Sequence, residues 1–311
     1  MLQQRILARS AGIVTYGMTP PKRTHSSEKI AEIAAKQVQR LHGLDIDGLI
    51  LYDVQDEQDR TGEERPFPFL PTLDPAQYSA SYLQDLSMPR IIYRCVGNYS
   101  EAEFTDMLQR GEAGEAVVYV GASSRHQQVR LRLPEAYALS RRVNDGLPFG
   151  GVVIPERHLA RRDEHERVAD KIRSGCAFFV SQATFNVEAT KDFLSDYYYY
   201  CREHELEMVP ILINLAPCGS PKTIAFMKWL GISIPKWLEN DLVHSHDILD
   251  KSIALSQQLF EELLDFGLEK GIPLGCSIES VSTRKVEIEA SVELVSRVKR
   301  ILDNRLGLGK R

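Results

Sequence analysis

Eight short apolar runs, each followed by a helical pattern, are the feature that most limits how this chain can fold. The runs occupy residues 12–19, 48–54, 90–96, 116–121, 151–155, 177–182, 209–215 and 274–278. In most of these runs apolar and polar residues do not alternate, which is typical of strands covered on both faces. Between them lie amphipathic helical patterns, such as the stripe formed by Ile30, Ile33 and Ala34 behind a capping Ser26 or Ser27. Because no Gly-x-Gly-x-x-Gly turn follows the first run, we predict one closed (β/α)₈ TIM barrel spanning residues 1–311, an α/β fold, rather than a doubly wound sheet.

Composition narrows the class of protein but not the reaction. A length of 311 residues with 43% hydrophobic content suits one large core. The formal charge of -5 gives no electrostatic reason to expect nucleic acid or an anionic membrane as a partner. The first residues lack the apolar stretch of a secretion signal, and nowhere do about 18 uncharged apolar residues run together. The five scattered cysteines indicate reduced thiols, so we expect a soluble cytoplasmic protein. The sequence leaves open whether the chain forms a homo-oligomer.

Residues 53–75 form a connection longer than a barrel needs. Its first half is strongly charged, and its second half, residues 66–71, reads Pro-Phe-Pro-Phe-Leu-Pro. Long loops after barrel strands usually shape or cover the active site, which predicts a lid or wall. The exposed aromatic residues of the loop are equally compatible with an interface to a second subunit.

Polar residues end several of the predicted strands. Gln182, Glu279 and Asp53 close the sixth, eighth and second strands, and we expect all three at the rim where barrel enzymes bind ligands. Arg94 interrupts the apolar third strand, so its charge needs a partner or an anion: it either pairs with Asp53 or Glu279 or binds substrate. No metal site is expected, because the pair His244 and His246 lacks a third ligand at a useful spacing.

Five segments in order resemble one known family. Residues 16–22 read Tyr-Gly-Met-Thr-Pro-Pro-Lys, residues 155–158 read Pro-Glu-Arg-His, and residues 234–238 read Ile-Pro-Lys-Trp-Leu. Lys171 precedes a Gly-Cys turn and a strand that ends in Gln182, and the seventh strand leads into a similar loop. Together these motifs resemble the methylenetetrahydrofolate reductase family, flavin enzymes of one-carbon metabolism and methionine biosynthesis that share the barrel fold.

The resemblance implies FAD as cofactor, a folate-like substrate and a reduced nicotinamide as electron donor. His158 and Lys171 would hold the ribose and phosphates of the flavin, with Glu156 supporting the same turn. Gln182 would hydrogen-bond the planar ring of the flavin or the substrate. The expected substrate contacts are Gln182, Asp53 and Arg94.

Two carboxylates of the family pattern are missing. Gly17 stands where the family has its glutamate proton donor, and Ala122 stands where the family has an aspartate beside the flavin. Glu279 is the first candidate for a replacement acid, so Glu279 and Gln182 are the expected catalytic residues. The sequence therefore predicts a flavin-dependent reductase of a folate-like substrate. The alternatives are a flavin-free, folate-binding methyltransferase and a non-catalytic member that only binds a ligand.

Overall fold

The chain folds into a closed barrel of eight parallel strands in sequential order, as predicted. The structure, a computed structural model, describes residues 1–56, 64–111, 114–122 and 128–307. The strands are β1 (Val14–Met18), β2 (Gly48–Leu51), β3 (Arg90–Cys95), β4 (Ala116–Val120), β5 (Phe149–Val153), β6 (Phe178–Ala183), β7 (Ile211–Leu215) and β8 (Leu274–Glu279). Each predicted apolar run overlaps one of these strands, although β5 begins two residues before its run and β6 and β8 each end one residue after theirs.

Helices surround the barrel and follow the predicted alternation. They are α1 (Leu2–Leu7), α2 (Ser27–Leu41), α3 (Pro75–Tyr82), α4 (Glu101–Gln109), α5 (Leu133–Val143), α6 (Pro155–Arg161), α7 (Glu164–Arg173), α8 (Val187–Glu203), α9 (Pro221–Trp229), α10 (Lys236–Val243), α11 (Ile248–Lys270) and α12 (Lys285–Leu306). The side chain of Ser26 accepts a hydrogen bond from the backbone of Lys29 and so caps α2. None of the described helices is both long and apolar enough to cross a membrane.

Alternating side chains divide the core into two layers. On one face of the sheet, residues such as Ile50, Phe178 and Leu212 fill the barrel interior. On the other face, residues such as Phe179 and Ile213 pack under the surrounding helices. Since successive side chains of a strand point to opposite faces, this division fixes which residue of each strand end faces the interior.

The short helix α1 closes the amino-terminal end of the barrel. Leu2 and Ile6, each 2% exposed, belong to the same apolar cluster as the interior residues of β2 and β3. Leu2 also packs against Gly48 at the start of β2, where a side chain would collide with it. The opposite, carboxyl end of the barrel is therefore the end at which we expect a ligand to bind.

The loop after β2 reaches across to the helix that follows β7. The Phe67 ring meets the Phe226 ring of α9 edge to face, with centroids 5.1 Å apart. The Arg65 guanidinium lies 4.9 Å from the centre of the Trp229 ring, and Thr72 pairs with Lys22 beyond β1. The described part of the loop thus spans the carboxyl ends of β1 and β8, which lie between β2 and β7. Its role as a lid or an interface stays a prediction, and residues 57–63 lie outside the described residues.

We expect the plug formed by α1 to contribute measurably to stability. Ile6→Ala should lower the free energy of unfolding by about 2 to 5 kcal/mol, because it removes a buried side chain and leaves a cavity. Leu7→Ala is the matched control, since Leu7 is the next residue of the same helix and is 62% exposed. Urea denaturation of both variants measures the difference. Equal losses would show that α1 does not seal the barrel.

Candidate functional site

Three polar side chains lie at the carboxyl ends of adjacent strands. They are Gln182 on β6, Asn214 on β7 and Glu279 on β8. The Asn214 and Glu279 side chains meet inside the barrel, where Asn214 Nδ2 donates a hydrogen bond of 2.7 Å to Glu279 Oε1. We call this group of three side chains the mouth cluster.

A bulge in β6 shapes the mouth cluster. The pairing between β6 and β7 shifts register between Val180 and Ala183. There the Ser181 hydroxyl, rather than a strand carbonyl, accepts a hydrogen bond of 2.8 Å from the Asn214 backbone. Bulges near binding sites commonly redirect a side chain. The half-buried Gln182 lies within this bulge, and its amide donates weakly, at 3.3 Å, to the Leu230 carbonyl.

Burial raises the pKa of Glu279, and this is the main electrostatic feature of the site. The hydrogen bond from Asn214 lowers the pKa by less than burial raises it. The neutral, protonated acid is therefore favoured compared with an exposed glutamate. A protonated carboxyl can donate a hydrogen bond as well as accept one.

Two buried polar atoms near the mouth cluster lack hydrogen-bond partners among the described residues. They are Asn214 Oδ1 and Thr15 Oγ1, whereas the Tyr52 hydroxyl interacts with the side chains of Glu279 and Ser277. Buried polar groups in native proteins are nearly always paired, with protein, water or ligand. Unpaired atoms at the carboxyl end of the barrel therefore suggest a place where a polar ligand binds.

Tyr52 explains why the first strand carries no acid. A Cβ atom at Gly17 would lie 2.6 Å from the Tyr52 hydroxyl, so the tyrosine fills the space that a side chain at position 17 would occupy. Gly17 is paired in register with Glu279 on the neighbouring strand. The carboxyl at this end of the barrel thus comes from β8 instead of β1.

Asn214 and Tyr52 were not among the residues predicted from the sequence. Asn214 is the only polar residue of the strand Ile-Leu-Ile-Asn-Leu, and that interruption was a usable signal. Tyr52 gave no comparable signal, because its role depends on the absence of a side chain at Gly17 across the sheet.

The buried carboxylate of Glu287 fixes the loops beside the mouth cluster. Its Oε1 accepts hydrogen bonds from the Gly219 backbone at 2.7 Å and from the Thr223 hydroxyl at 2.9 Å. Ser282, in the loop after β8, donates to the other oxygen. One side chain at the start of α12 therefore ties together the loops that follow β7 and β8.

Asp53 lies at the predicted rim, but Arg94 does not. Asp53 Oδ2 accepts a hydrogen bond of 2.9 Å from the Cys95 backbone. Arg94, 1% exposed, lies on the outer face of the sheet and forms an ion pair with Asp74, the residue that caps α3. Asp74, on a different element, is thus an ion-pair partner of Arg94, and Asp53 also interacts with Arg94 electrostatically. The role of Arg94 as a substrate contact stays a prediction, although its side chain lies outside the barrel interior.

The residues expected to hold a flavin do not fit that group. His158 is 0% exposed, and its Nε2 lies 2.8 Å from Asp196 of α8. Lys171 Nζ donates to the Val152 carbonyl at 2.7 Å, and burial lowers the pKa of this lysine. The Glu156 carboxyl is also buried, and neither of its oxygens has a hydrogen-bond partner among the described residues. Since His158 and Lys171 are held by protein partners and Glu156 is an acid, these residues offer no charged surface for a ribose and phosphates, and we derive no flavin chemistry.

A cavity of about 220 Å³ lies next to the mouth cluster, between α8, α10 and α11. Its walls are mainly apolar and include Phe185, Leu238 and Leu259, while Trp237 is exposed at its edge. The lining also includes the carboxylates of Glu188 and Glu262. Residues 184–186, which directly follow β6, form part of the wall, so the cavity opens beside the carboxyl end of the barrel.

A solved structure of a close relative identifies the family of this chain. A solved structure described as an uncharacterized protein from Clostridium thermocellum that binds two copies of 5-methyl-5,6,7,8-tetrahydrofolic acid is 54% identical. The match covers 97% of this chain and 100% of that one, with a TM-score of 0.86. This chain belongs to the same family. No protein-family model and no curated protein matches it.

The expected membership of the methylenetetrahydrofolate reductase family is wrong. The similar solved structures include the folate-binding Clostridium protein and dihydropteroate synthases. The dihydropteroate synthase of Vibrio fischeri ES114 has 10% identity and a TM-score of 0.48, over 97% of this chain and 94% of that one. The Anaplasma phagocytophilum enzyme has 9% identity and a TM-score of 0.49, over 95% and 99%. These two similarities are too low to support a conclusion about function.

Burial raises the pKa of Glu156 to about 7, and this predicts a pH-dependent stability. When the pKa of a carboxyl is higher in the folded than in the unfolded protein, the fold loses stability as the pH rises from the lower to the higher pKa. For Glu156 this window runs from near 4.5 to about 7. Glu156→Gln removes that ionisation and should increase the free energy of unfolding at pH 8 by roughly 1 to 3 kcal/mol. The increase should be small at pH 4.

Chemical denaturation at the two pH values measures this effect. Glu289→Gln is the matched control, because the Glu289 side chain is 53% exposed. The same gain at both pH values would mean that Glu156 is ionised normally in the folded protein.

Proposed function

We propose that this protein binds a reduced folate of the 5-methyltetrahydrofolate type, with the pterin ring against the mouth cluster. The observation that carries the proposal is the unpaired Asn214 Oδ1 beside the raised-pKa carboxyl of Glu279 at the carboxyl end of the barrel. The relative that binds this folate supports the choice of ligand, because it matches almost the whole chain. The proposal includes no flavin, nicotinamide donor or second subunit.

The amides of the mouth cluster suit the edge of a pterin. That edge carries an amino group and a ring N–H as donors and a carbonyl as acceptor. Gln182 offers both a donor and an acceptor, and Asn214 Oδ1 is an acceptor without a partner. Recognition by amides needs no ionic charge, which fits a planar and largely neutral heterocycle.

Glu279 in its protonated form is a donor for N5 of the folate. Its Oε1 already accepts from Asn214, so the proton would lie on the other oxygen, and the Tyr52 hydroxyl is a further neighbour of the carboxyl. A methyl group at N5 makes that nitrogen a tertiary amine, whose lone pair accepts a hydrogen bond. A bound pterin would exclude further water and so favour the protonated acid still more.

The cavity beside the mouth cluster is the proposed position of a second folate copy. Its volume of about 220 Å³ suits a bicyclic ring, and the exposed Trp237 provides an aromatic face at its edge. The carboxylates of Glu188 and Glu262 are acceptors for the N–H groups of the pterin edge. Two positions per chain would match the two copies bound by the relative.

We expect the folate site at the mouth cluster, but not the second site, to lose affinity as the pH rises through the raised pKa of Glu279. Only the protonated acid donates to N5, so the loss should reach about tenfold per pH unit above that pKa. Glu279→Gln keeps a donor that does not titrate, so the affinity of its mouth site should be independent of pH. Isothermal titration calorimetry with 5-methyltetrahydrofolate measures both stoichiometry and affinity.

Glu289→Gln is the control variant and should keep the pH dependence of the parent, since Glu289 is an exposed residue of α12. Removal of the amide by Gln182→Leu should weaken the mouth site and leave the second site intact. A parent without folate binding, or an unchanged pH slope in Glu279→Gln, would contradict the proposal.

Methyl transfer is a second candidate function, and the position of Glu279 favours it. The methyl group leaves N5 only when that nitrogen is protonated. A nucleophile such as a thiolate then takes the methyl group, and tetrahydrofolate retains the proton on N5. A well-placed general acid contributes about 10²- to 10⁴-fold in rate.

This second candidate can be tested with 5-methyltetrahydrofolate that is labelled in its methyl group. The protein is incubated with the labelled folate and each of a set of small thiols as methyl acceptors. We expect label on sulfur and unlabelled tetrahydrofolate with the parent, and a rate reduced by about 10²- to 10⁴-fold with Glu279→Gln. If the label stays on the folate with every thiol while binding is intact, the protein binds folate without transferring its methyl group to a thiol.

A further inference from the structure

A cluster of metal-ligating side chains lies outside the barrel, where α6, α7 and α8 meet. His158 comes from α6, His165 from α7 and Asp196 from α8. One donor atom from each of the three lies within 4.8 Å of the others. The sequence predicts no metal site, because three ligands on three separate helices leave no motif of fixed spacing.

The cluster combines one internal hydrogen bond with ring nitrogens that lack a partner among the described residues. His158 Nε2 lies 2.8 Å from Asp196 Oδ2, at hydrogen-bond distance. The Nδ1 atoms of His158 and His165 are buried and have no hydrogen-bond partner among the described residues. The two imidazole rings meet edge to face, with centroids 5.2 Å apart.

The surrounding residues hold the two imidazole rings in place. The ring of Phe193 packs against His158, and the ring of Tyr200 packs against His165.

We propose that His158, His165 and Asp196 bind a divalent transition-metal ion of the zinc class. Two imidazoles and one carboxylate are a common protein ligand set for zinc, with a fourth position for water. The Asp196 side chain is 45% exposed, so solvent reaches that position. Magnesium and calcium prefer oxygen ligands and do not suit two histidines.

The ion would join three helices beside the turn after β5. α6 follows β5 directly, and α7 and α8 flank β6, which carries Gln182. Zn–N distances near 2.0–2.1 Å in a tetrahedral arrangement put the ligand atoms about 3.3 Å apart. The His158–Asp196 pair at 2.8 Å would therefore open slightly, and a pair at the outer limit of 4.8 Å would close by about 1.5 Å. The partly exposed His165 side chain has the freedom to make this movement. The metal site stands independently of folate binding.

Cobalt(II) titration of untagged, metal-free protein tests the site, because tetrahedral Co²⁺ absorbs visible light far more strongly than hydrated Co²⁺. We expect a visible band that saturates at one ion per chain and disappears when Zn²⁺ is added. His165→Ala and Asp196→Asn should weaken Co²⁺ binding by at least about 100-fold, since each removes a direct ligand. Both positions are partly exposed, so these variants test the site without changing the buried His158.

His204→Ala is the control variant, because His204 is exposed at the end of α8 and lies outside the cluster. It should bind Co²⁺ as the parent does. Circular dichroism confirms that each variant is folded. The absence of a saturable band in the parent, or an unchanged band in His165→Ala, would overturn the proposal.

Discussion

The burial of the Glu279 carboxyl inside the closed barrel is the constraint on which the proposed site depends. Its position at the end of β8 puts the acid among strand residues instead of water, where ionisation is costly. The Asn214 amide donates a hydrogen bond to one oxygen of Glu279, but as a neutral group it does not compensate a negative charge on the carboxylate. The neutral acid is therefore favoured more than in an exposed glutamate. The neutral form gives the site a hydrogen-bond donor, which an ionised carboxylate would not supply.

The surrounding fold makes this arrangement possible through long-range contacts. The bulge in β6 lets Ser181 take the Asn214 backbone hydrogen bond, while Asn214 points its side chain at Glu279. The absence of a side chain at Gly17 leaves room for Tyr52 beside the acid. Glu287 holds the neighbouring loops in one arrangement. The site is thus built by neighbouring strands and the connections that follow them.

Most of the fold could be predicted from the sequence, because apolar runs and helical stripes are local signals. The rim positions of Gln182, Glu279 and Asp53 followed from the rule that strand ends meet at one edge of a parallel barrel. The partner of Arg94 could not be predicted, since Asp74 lies on a different element and pairs with it outside the barrel. The position of the Tyr52 side chain could not be predicted either, because it depends on the absence of a side chain at Gly17 on the neighbouring strand.

The resemblance to a flavin enzyme failed for a related physical reason. Its motifs are short turns and helix starts, which any barrel of this kind needs to connect strands to helices. The Pro-Glu-Arg-His segment begins α6, and its His158 points to α8. Lys171 bonds to a backbone carbonyl of β5. Local structure alone therefore accounts for these residues, without a cofactor.

The most direct test is a crystal structure of the protein with 5-methyltetrahydrofolate. We predict a pterin ring at the carboxyl end of the barrel, with N5 within hydrogen-bond distance of Glu279 and the ring edge against Gln182 and Asn214. A folate bound only elsewhere, with the mouth cluster in contact with water alone, would contradict the proposed role of this buried acid.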